Sequence, residues 1–186
     1  MSKEIESKPD FNKFPKMARL SRECIITEKI DGTNAQIFIT QDGGFYTGSR
    51  NRWITPSNDN FGFSAWAHEN KEELMKLGLG RHFGEWWGRG IQRNYGLSDR
   101  KFSLFNVSKW KDNPDLPDCC RVVPVLHVGD FNSIDVDICL NSLENKGSRA
   151  APGFMHPEGI VVWHTAANIG FKKTIKNDEQ PKSLAK

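Results

Sequence analysis

Four short segments set charged side chains inside otherwise apolar runs: Lys29 in "ITEKID", Glu85 in "HFGEWWG", Glu158 in "HPEGIVV", and Lys172 beside Lys173 in "IGFKKTI". Charged groups are seldom buried unless they are paired, so these interruptions point to one shared polar cleft. An amine becomes a useful nucleophile only after losing its proton, and desolvation or neighbouring cations favour that loss. Lys172 and Lys173 would supply such cations if the fold brings them to Lys29. The same cations, with a divalent metal held by a carboxylate such as Glu158, would neutralise charge developing on a transferred phosphate. A lysine nucleophile, an acidic ligand and a lysine clamp together imply attack on phosphorus.

Taken alone, "EKIDGTN" also has a plain reading. The preceding "ECIIT" is rich in β-branched residues and reads as a strand, and Asp-Gly is the commonest two-residue hairpin signal. On that reading Lys29 is a solvated charge at a strand end. The elements around it set its place in the fold. "CIITEKI", "NAQIFIT" and "GGFYTGS" predict consecutive strands joined by Asp-Gly and Asp-Gly-Gly turns, an antiparallel meander. Apolar residues from Asn60 to Lys76 recur at roughly helical spacing, with Gly78 as the stop. Strand signals return at "RHFGEWW", "KFSLFNV" and "RVVPVLHV". A second helical pattern spans about Ile134 to Glu144, with Ser133 as N-cap and Gly147 beyond the end. "GIVVWHT" and "IGFKKTI" close the chain as strands. "KWKDNPDLPDCC" reads as a Pro/Asp-rich surface loop. Strands first, helices interspersed and strands last make an α+β pattern.

Composition narrows the function classes. A chain of 186 residues suits one domain, expected over residues 14–176 between polar tails at 1–13 and 177–186. No segment approaches the run of about 20 apolar residues that a membrane helix needs, and the polar start lacks a signal-peptide core, so a cytoplasmic location is expected. Cys24, Cys119, Cys120 and Cys139 contain no Cys-x-x-Cys and read as reduced structural thiols. His82, His127 and His164 are isolated and read as structural. A net charge of +3 permits a polyanionic partner without demanding one. The "RHFGEWWGRGIQRNYG" segment interleaves Arg81, Arg89 and Arg93 with aromatics, a pattern that suits single-stranded nucleic acid as well as it suits a core strand with a basic edge. The common P-loop, dinucleotide, zincin and hydrolase signatures are absent.

In chain order, "EKIDGTN", "GSRNR", "FGEWWG", "FSLFNV", "PEGIVV" and "FKKT" resemble motifs I, Ia, III, IIIa, IV and V of the covalent nucleotidyltransferases. They are most similar to those of the ATP-dependent RNA ligases of the type 2, phage-like group. Each motif alone is weak; six in register are specific. The resemblance implies an antiparallel-sheet nucleotidyltransferase domain of ATP-grasp-like architecture with interspersed helices. It implies Lys29 as the lysine that attacks the α-phosphate of ATP and holds AMP as a phosphoramidate, with Lys172 and Lys173 as phosphate-binding lysines. By the same resemblance Glu28 contacts the adenine amine, and Asp31 and Gly32 complete the motif I element and belong to the ATP-binding set. Asn34 lies near the phosphates, Arg50 contacts the sugar or the RNA end, Glu85 the ribose, and Phe105 stacks on adenine. Glu158 lies on the metal side, with Mg2+ or Mn2+ implied.

Three features depart from the family pattern. Asn106 stands where motif IIIa usually has aspartate, and Lys172 and Lys173 are adjacent where motif V usually spaces them as Lys-x-Lys. Successive strand residues face opposite ways, so one of the two is expected at the phosphate. The chain also ends just after motif V, which would make it a stand-alone catalytic domain with an accessory strand-binding protein as a possible partner. The leading expectation is an ATP-dependent ligase that joins a 5′-phosphate to a 3′-hydroxyl, in RNA rather than DNA. Alternatives are a DNA ligase or capping guanylyltransferase using the same lysine, and a non-catalytic module that binds nucleic-acid ends or nucleotide.

Overall fold

The computed structural model describes residues 10–179. The outer parts of both expected tails lie outside the described residues. Among the described residues ten strands form two sheets: β1 (Glu23–Lys29), β2 (Thr33–Ile39), β3 (Phe45–Ser49), β4 (Trp53–Ile54), β5 (Gly80–Gly88), β6 (Arg100–Leu104), β7 (Cys120–Val122), β8 (Val125–Asp130), β9 (Gly159–His164) and β10 (Ile169–Thr174). The helices are α1 (Phe63–Glu69), α2 (Lys71–Leu74), α3 (Val107–Trp110) and α4 (Ser133–Lys146). One sheet has the order β10-β9-β1-β8 and the other β4-β3-β2-β5-β6-β7. All pairs are antiparallel except β6 with β7. This is the expected α+β class.

The strands read as their burial requires. β1 lies in the interior of its sheet and is covered on both faces, which is why Cys24, Ile25 and Ile26 are consecutive apolar residues that do not alternate with polar ones. Cys24 and Ile26 pack with Cys139 and Leu143 of α4, while Ile25 packs with Trp87 of the second sheet. β2 alternates instead: Ala35, Ile37 and Ile39 are buried, and Asn34, Gln36 and Phe38 are half-buried on the other face. Its buried residues join Phe63, Ala67, Leu74, Trp86 and Phe102 in the core beneath α1 and α2. The sheets therefore converge around Ile25 and Trp87, with α4 outside one and α1 and α2 outside the other.

Several local expectations are corrected. β1 and β2 do not form a hairpin: Asp31 and Gly32 carry the chain from one sheet to the other. Gly32 is needed for close approach there, because a Cβ would lie 2.5 Å from the Trp86 carbonyl oxygen and 2.7 Å from Trp87 Cβ. "RVVPVLHV" is likewise two strands in two sheets, β7 and β8, broken at Pro124, which has no N–H to give a ladder. The helix expected over Asn60–Lys76 is α1, α2 and a 3-10 turn, Met75–Leu77. Asn70 interrupts it by turning its amide onto the Trp66 carbonyl, 2.8 Å away. Asn132, not Ser133, caps α4 by accepting from Ile134 N at 2.8 Å, and Gly147 closes it as expected. "KWKDNPDLPDCC" is not wholly a surface loop, since Trp110 is buried at the end of α3. Among the described residues no helix is long and apolar enough to cross a membrane.

Candidate active site

The crossover from β1 to β2 ends β1 at Lys29 and aims its side chain at the segment before β9. Lys29 Nζ donates to Glu158 Oε2 at 2.5 Å, with the lysine partly open to solvent and Glu158 buried. From the second sheet, Glu85 of β5 faces Asn34 of β2 directly across the ladder. Its Oε1 accepts from Gly32 N at 3.0 Å and its Oε2 from Asn34 Nδ2 at 3.1 Å. Burial pushes the Glu85 carboxyl up to about 7, with nearby Glu158 and Asp31 adding to the rise and Lys29 and the Gly32 N–H opposing it. The fold therefore assembles Lys29, Gly32, Asn34, Glu85 and Glu158 at one mouth between the sheets.

The register separates the adjacent lysines. Thr27, Val161 and Lys172 lie in one row across β1, β9 and β10, and Lys29, Gly159 and Thr174 in another. Alternation puts both rows on one face, so Lys172 shares the face of Lys29. Lys173 lies in the row of Glu28 and Ile160, on the α4 face, and its Nζ donates to Asp137 Oδ1 at 2.9 Å. Gly159 is what lets β10 lie this close, because a Cβ there would meet the Lys173 carbonyl oxygen at 2.2 Å.

Glu28 is behind the strand, not beside Lys29. It is 1% exposed, and its oxygens accept from Ser148 Oγ at 2.6 Å, Arg149 N at 2.7 Å and Ala150 N at 2.9 Å. Burial raises its carboxyl despite those bonds. The Asp31 carboxylate pairs with Arg93 Nε at 2.9 Å, and its N–H donates to the Tyr95 hydroxyl at 2.7 Å. Arg93 also donates to the His156 carbonyl at 3.1 Å. Nothing in the sequence identified Tyr95, Ser148 or Arg93 as the groups that fix the crossover. Arg50 is exposed at the bend after β3, and the Phe105 ring is 41% exposed just past β6. Asn106 accepts from Lys109 N at 3.1 Å and caps α3, which accounts for an amide at that position. His82 and His164 bond main-chain carbonyls, as structural histidines do.

A cavity of about 560 Å³ lies beside Arg93, Met155, His156 and Lys176, yet Lys29, Glu85 and Glu158 do not line it. The chemistry-bearing groups face the open cleft. Among the described residues, no group of three or more His, Cys, Asp and Glu is placed to hold a metal ion.

The RNA ligase family's sequence model matches residues 22–177 of this chain. In structure the chain is similar to Naegleria gruberi RNA ligase. A mutant of that enzyme with ATP and Mn shows 20% identity and a TM-score of 0.60 over 82% of this chain and 48% of that one. A mutant with AMP and Mn gives 20%, 0.62, 83% and 50%, and another with ATP and Mn gives 21%, 0.63, 84% and 51%. This chain spans about half the length of those solved chains. No curated protein matches it.

Proposed function

The chain belongs to the RNA ligase family, and on that premise we propose that it joins RNA ends with ATP through a covalent AMP adduct on Lys29. The observation that carries this reading is the convergence at Lys29: Glu158 at 2.5 Å from its amine, and Glu85 and Asn34 held by the crossover beside it. Lys29 Nζ attacks the α-phosphorus of ATP as the bond to the β-phosphate oxygen breaks and pyrophosphate leaves. The ammonium gives up one proton before the attack, which Glu158 Oε2 is placed to take, and the nitrogen loses a second to water as the phosphoramidate forms. In the second step a 5′-phosphate oxygen of RNA displaces Lys29 from the adenylyl phosphorus, and the amine regains its proton. In the third the 3′-hydroxyl attacks the 5′-phosphorus and AMP leaves.

Each remaining side chain has a role that its position supports. Lys172, on the Lys29 face, offsets charge on the phosphates, whereas Lys173 holds β10 against α4 through Asp137. Asn34 and exposed Arg50 serve the phosphates and sugar. Glu85, with its carboxyl at about 7, both donates to and accepts from ribose hydroxyls near neutrality. The half-exposed Phe105 ring offers a face to adenine. Glu28, Asp31 and Gly32 hold the crossover that aims Lys29, and reach the nucleotide only through it.

A divalent cation would meet this cleft at Glu158, the buried carboxylate facing Lys29, with substrate phosphates and water completing its shell, since Mg2+ is commonly held by one or two carboxylates. When bound, Mg2+ or Mn2+ would offset charge on ATP and on departing pyrophosphate. The partner is an RNA end. Incubation with α-labelled ATP and, in parallel, α-labelled GTP tests the reading. Label from ATP that chases into 5′-phosphorylated RNA is expected, and covalent label from GTP alone would defeat the ligase assignment.

A further inference from the structure

The cleft face of the second sheet continues well past the candidate active site. On that face Asn34 pairs with Glu85, Gln36 with Phe83, and Phe38 with Arg81, three successive steps along β2 and β5. At about 3.4 Å per residue, Phe38 lies roughly 14 Å along the strand from Asn34. Tyr46 is opposite Phe38, and Trp53 is opposite Gly48, where a Cβ would meet the Gln36 side chain at 2.8 Å, so the glycine leaves room for Gln36 on this face. The result is an aromatic cluster around one guanidinium. The Phe38 and Trp53 rings stack at 23° with centroids 6.2 Å apart, and Tyr46 closes the group at 6.2 Å from Phe38 and 5.9 Å from Trp53. Arg81 Cζ lies 4.3 Å from the Phe38 centroid and 5.2 Å from that of Trp53. Its Nη1 donates to Gln36 Oε1 at 3.1 Å, which holds the fork over the rings.

This cluster is not core. Tyr46 and Trp53 are 49% and 48% exposed, and Phe83, between the cluster and Glu85, is 51% exposed. The opposite face of the same strands carries the apolar core under α1 and α2. Large rings held open to solvent beneath a cation combine the two features that bind single-stranded nucleic acid: π-faces on which unpaired bases stack, and a positive group for the backbone. The cluster is continuous with the groups that surround Lys29, and a paired base would hide the face that the rings need. We propose that Phe38, Tyr46, Trp53 and Arg81 form a stacking platform for unpaired nucleotides of the RNA strand whose end reacts at Lys29. The inference rests on the RNA ligase reading above and extends it to the form of the substrate.

The test uses the full chain and a 3′-fluorescein RNA roughly 12 nucleotides long, within the usual span of such sites, either single-stranded or annealed to its complement. Binding is read by fluorescence anisotropy, and AMP adduct formation is measured in the same preparations without RNA. For Trp53→Ala combined with Arg81→Gln, the expected result is at least about tenfold weaker binding of the single strand, little change for the duplex, and an unchanged adduct. Trp53→Phe, which keeps a ring, is expected to bind as the unaltered protein does. Unchanged single-strand affinity in the double variant would overturn the proposal, as would an equal loss on single strand and duplex, or a Trp53→Phe loss as large as that of the double variant. If the unaltered protein forms no adduct while single-strand binding still depends on these side chains, the ligase reading fails and the platform stands.

Discussion

The layer between the two sheets and the layers beneath the helices are built from alternate residues of the same strands, and they follow opposite rules. Under α1 and α2, Phe102, Trp86 and Ile37 are fully buried and apolar. One residue along, on the cleft face, stand Glu85, Gln36 and Phe38. On the other sheet Ile160 and Val162 pack against α4, while Lys29 and Lys172 look the other way. The covered layers supply the free energy that holds the fold, and the cleft uses some of it to keep charged groups partly dehydrated. Glu85 is the clearest case: it is satisfied by two hydrogen bonds and still has its carboxyl raised to about 7 by burial.

The sharpest contrast is between Phe102 and Glu85. Phe102→Ala empties a closed site among Phe63, Trp66 and Leu104, and is expected to cost about 3–5 kcal/mol in urea unfolding. Glu85→Gln should behave in the opposite sense. The folded Glu85 carboxyl lies above its usual 4.5, so the folded chain keeps a proton where the unfolded chain has lost it. The stability this provides is present at low pH and is lost as pH rises from about 4.5 to about 7. Glu28 shifts in the same direction and adds to the slope. A shift of this size is worth on the order of 3 kcal/mol, so Glu85→Gln should flatten that part of the stability–pH curve and raise stability above pH 7. A Glu85→Gln variant with an unaltered pH slope would show that Glu85 is not held neutral by the fold.

The two adjacent lysines give a smaller and cleaner comparison. Lys172→Ala is expected to slow AMP adduct formation by about 100-fold, the usual effect of removing one preorganised charge partner. Lys173→Ala breaks an exposed pair with Asp137 and should cost at most about 1 kcal/mol of stability, leaving the adduct rate near that of the unaltered chain. Equal rates for the two variants, measured by single-turnover labelling, would dissolve the distinction between the faces.

Much of this was legible in the sequence, for reasons that can be traced residue by residue. β2 has a period-two signature and β9 an apolar one, and the charges set in or beside such runs, Lys29 in β1, Glu85 in β5, Glu158 just before β9 and Lys172 in β10, mark the cleft. The strand partners were not legible. An Asp-Gly after an apolar strand signals a hairpin by local rules, and only the tight fit of Gly32 against Trp86 and Trp87 shows a crossover instead. Pro124 carries the same ambiguity, because a strand break does not say that the next strand joins another sheet. Lys172 and Lys173 could be assigned to opposite faces from sequence, but which face meets Lys29 depends on the register across β9. The aromatic cluster was hidden for the same reason. Arg81 was associated with the rings of its own segment, whereas the rings it covers come from β2 and β4.

The crossover is proposed to aim Lys29 at the α-phosphorus of ATP. Digestion of the protein after incubation with α-labelled ATP, followed by mass mapping of the labelled peptide, tests it directly when run beside the Lys29→Ala chain. AMP is expected on the peptide containing Lys29, with no adduct in the variant. An AMP adduct that persists in Lys29→Ala, or that maps to Lys172 or Lys173, would contradict it.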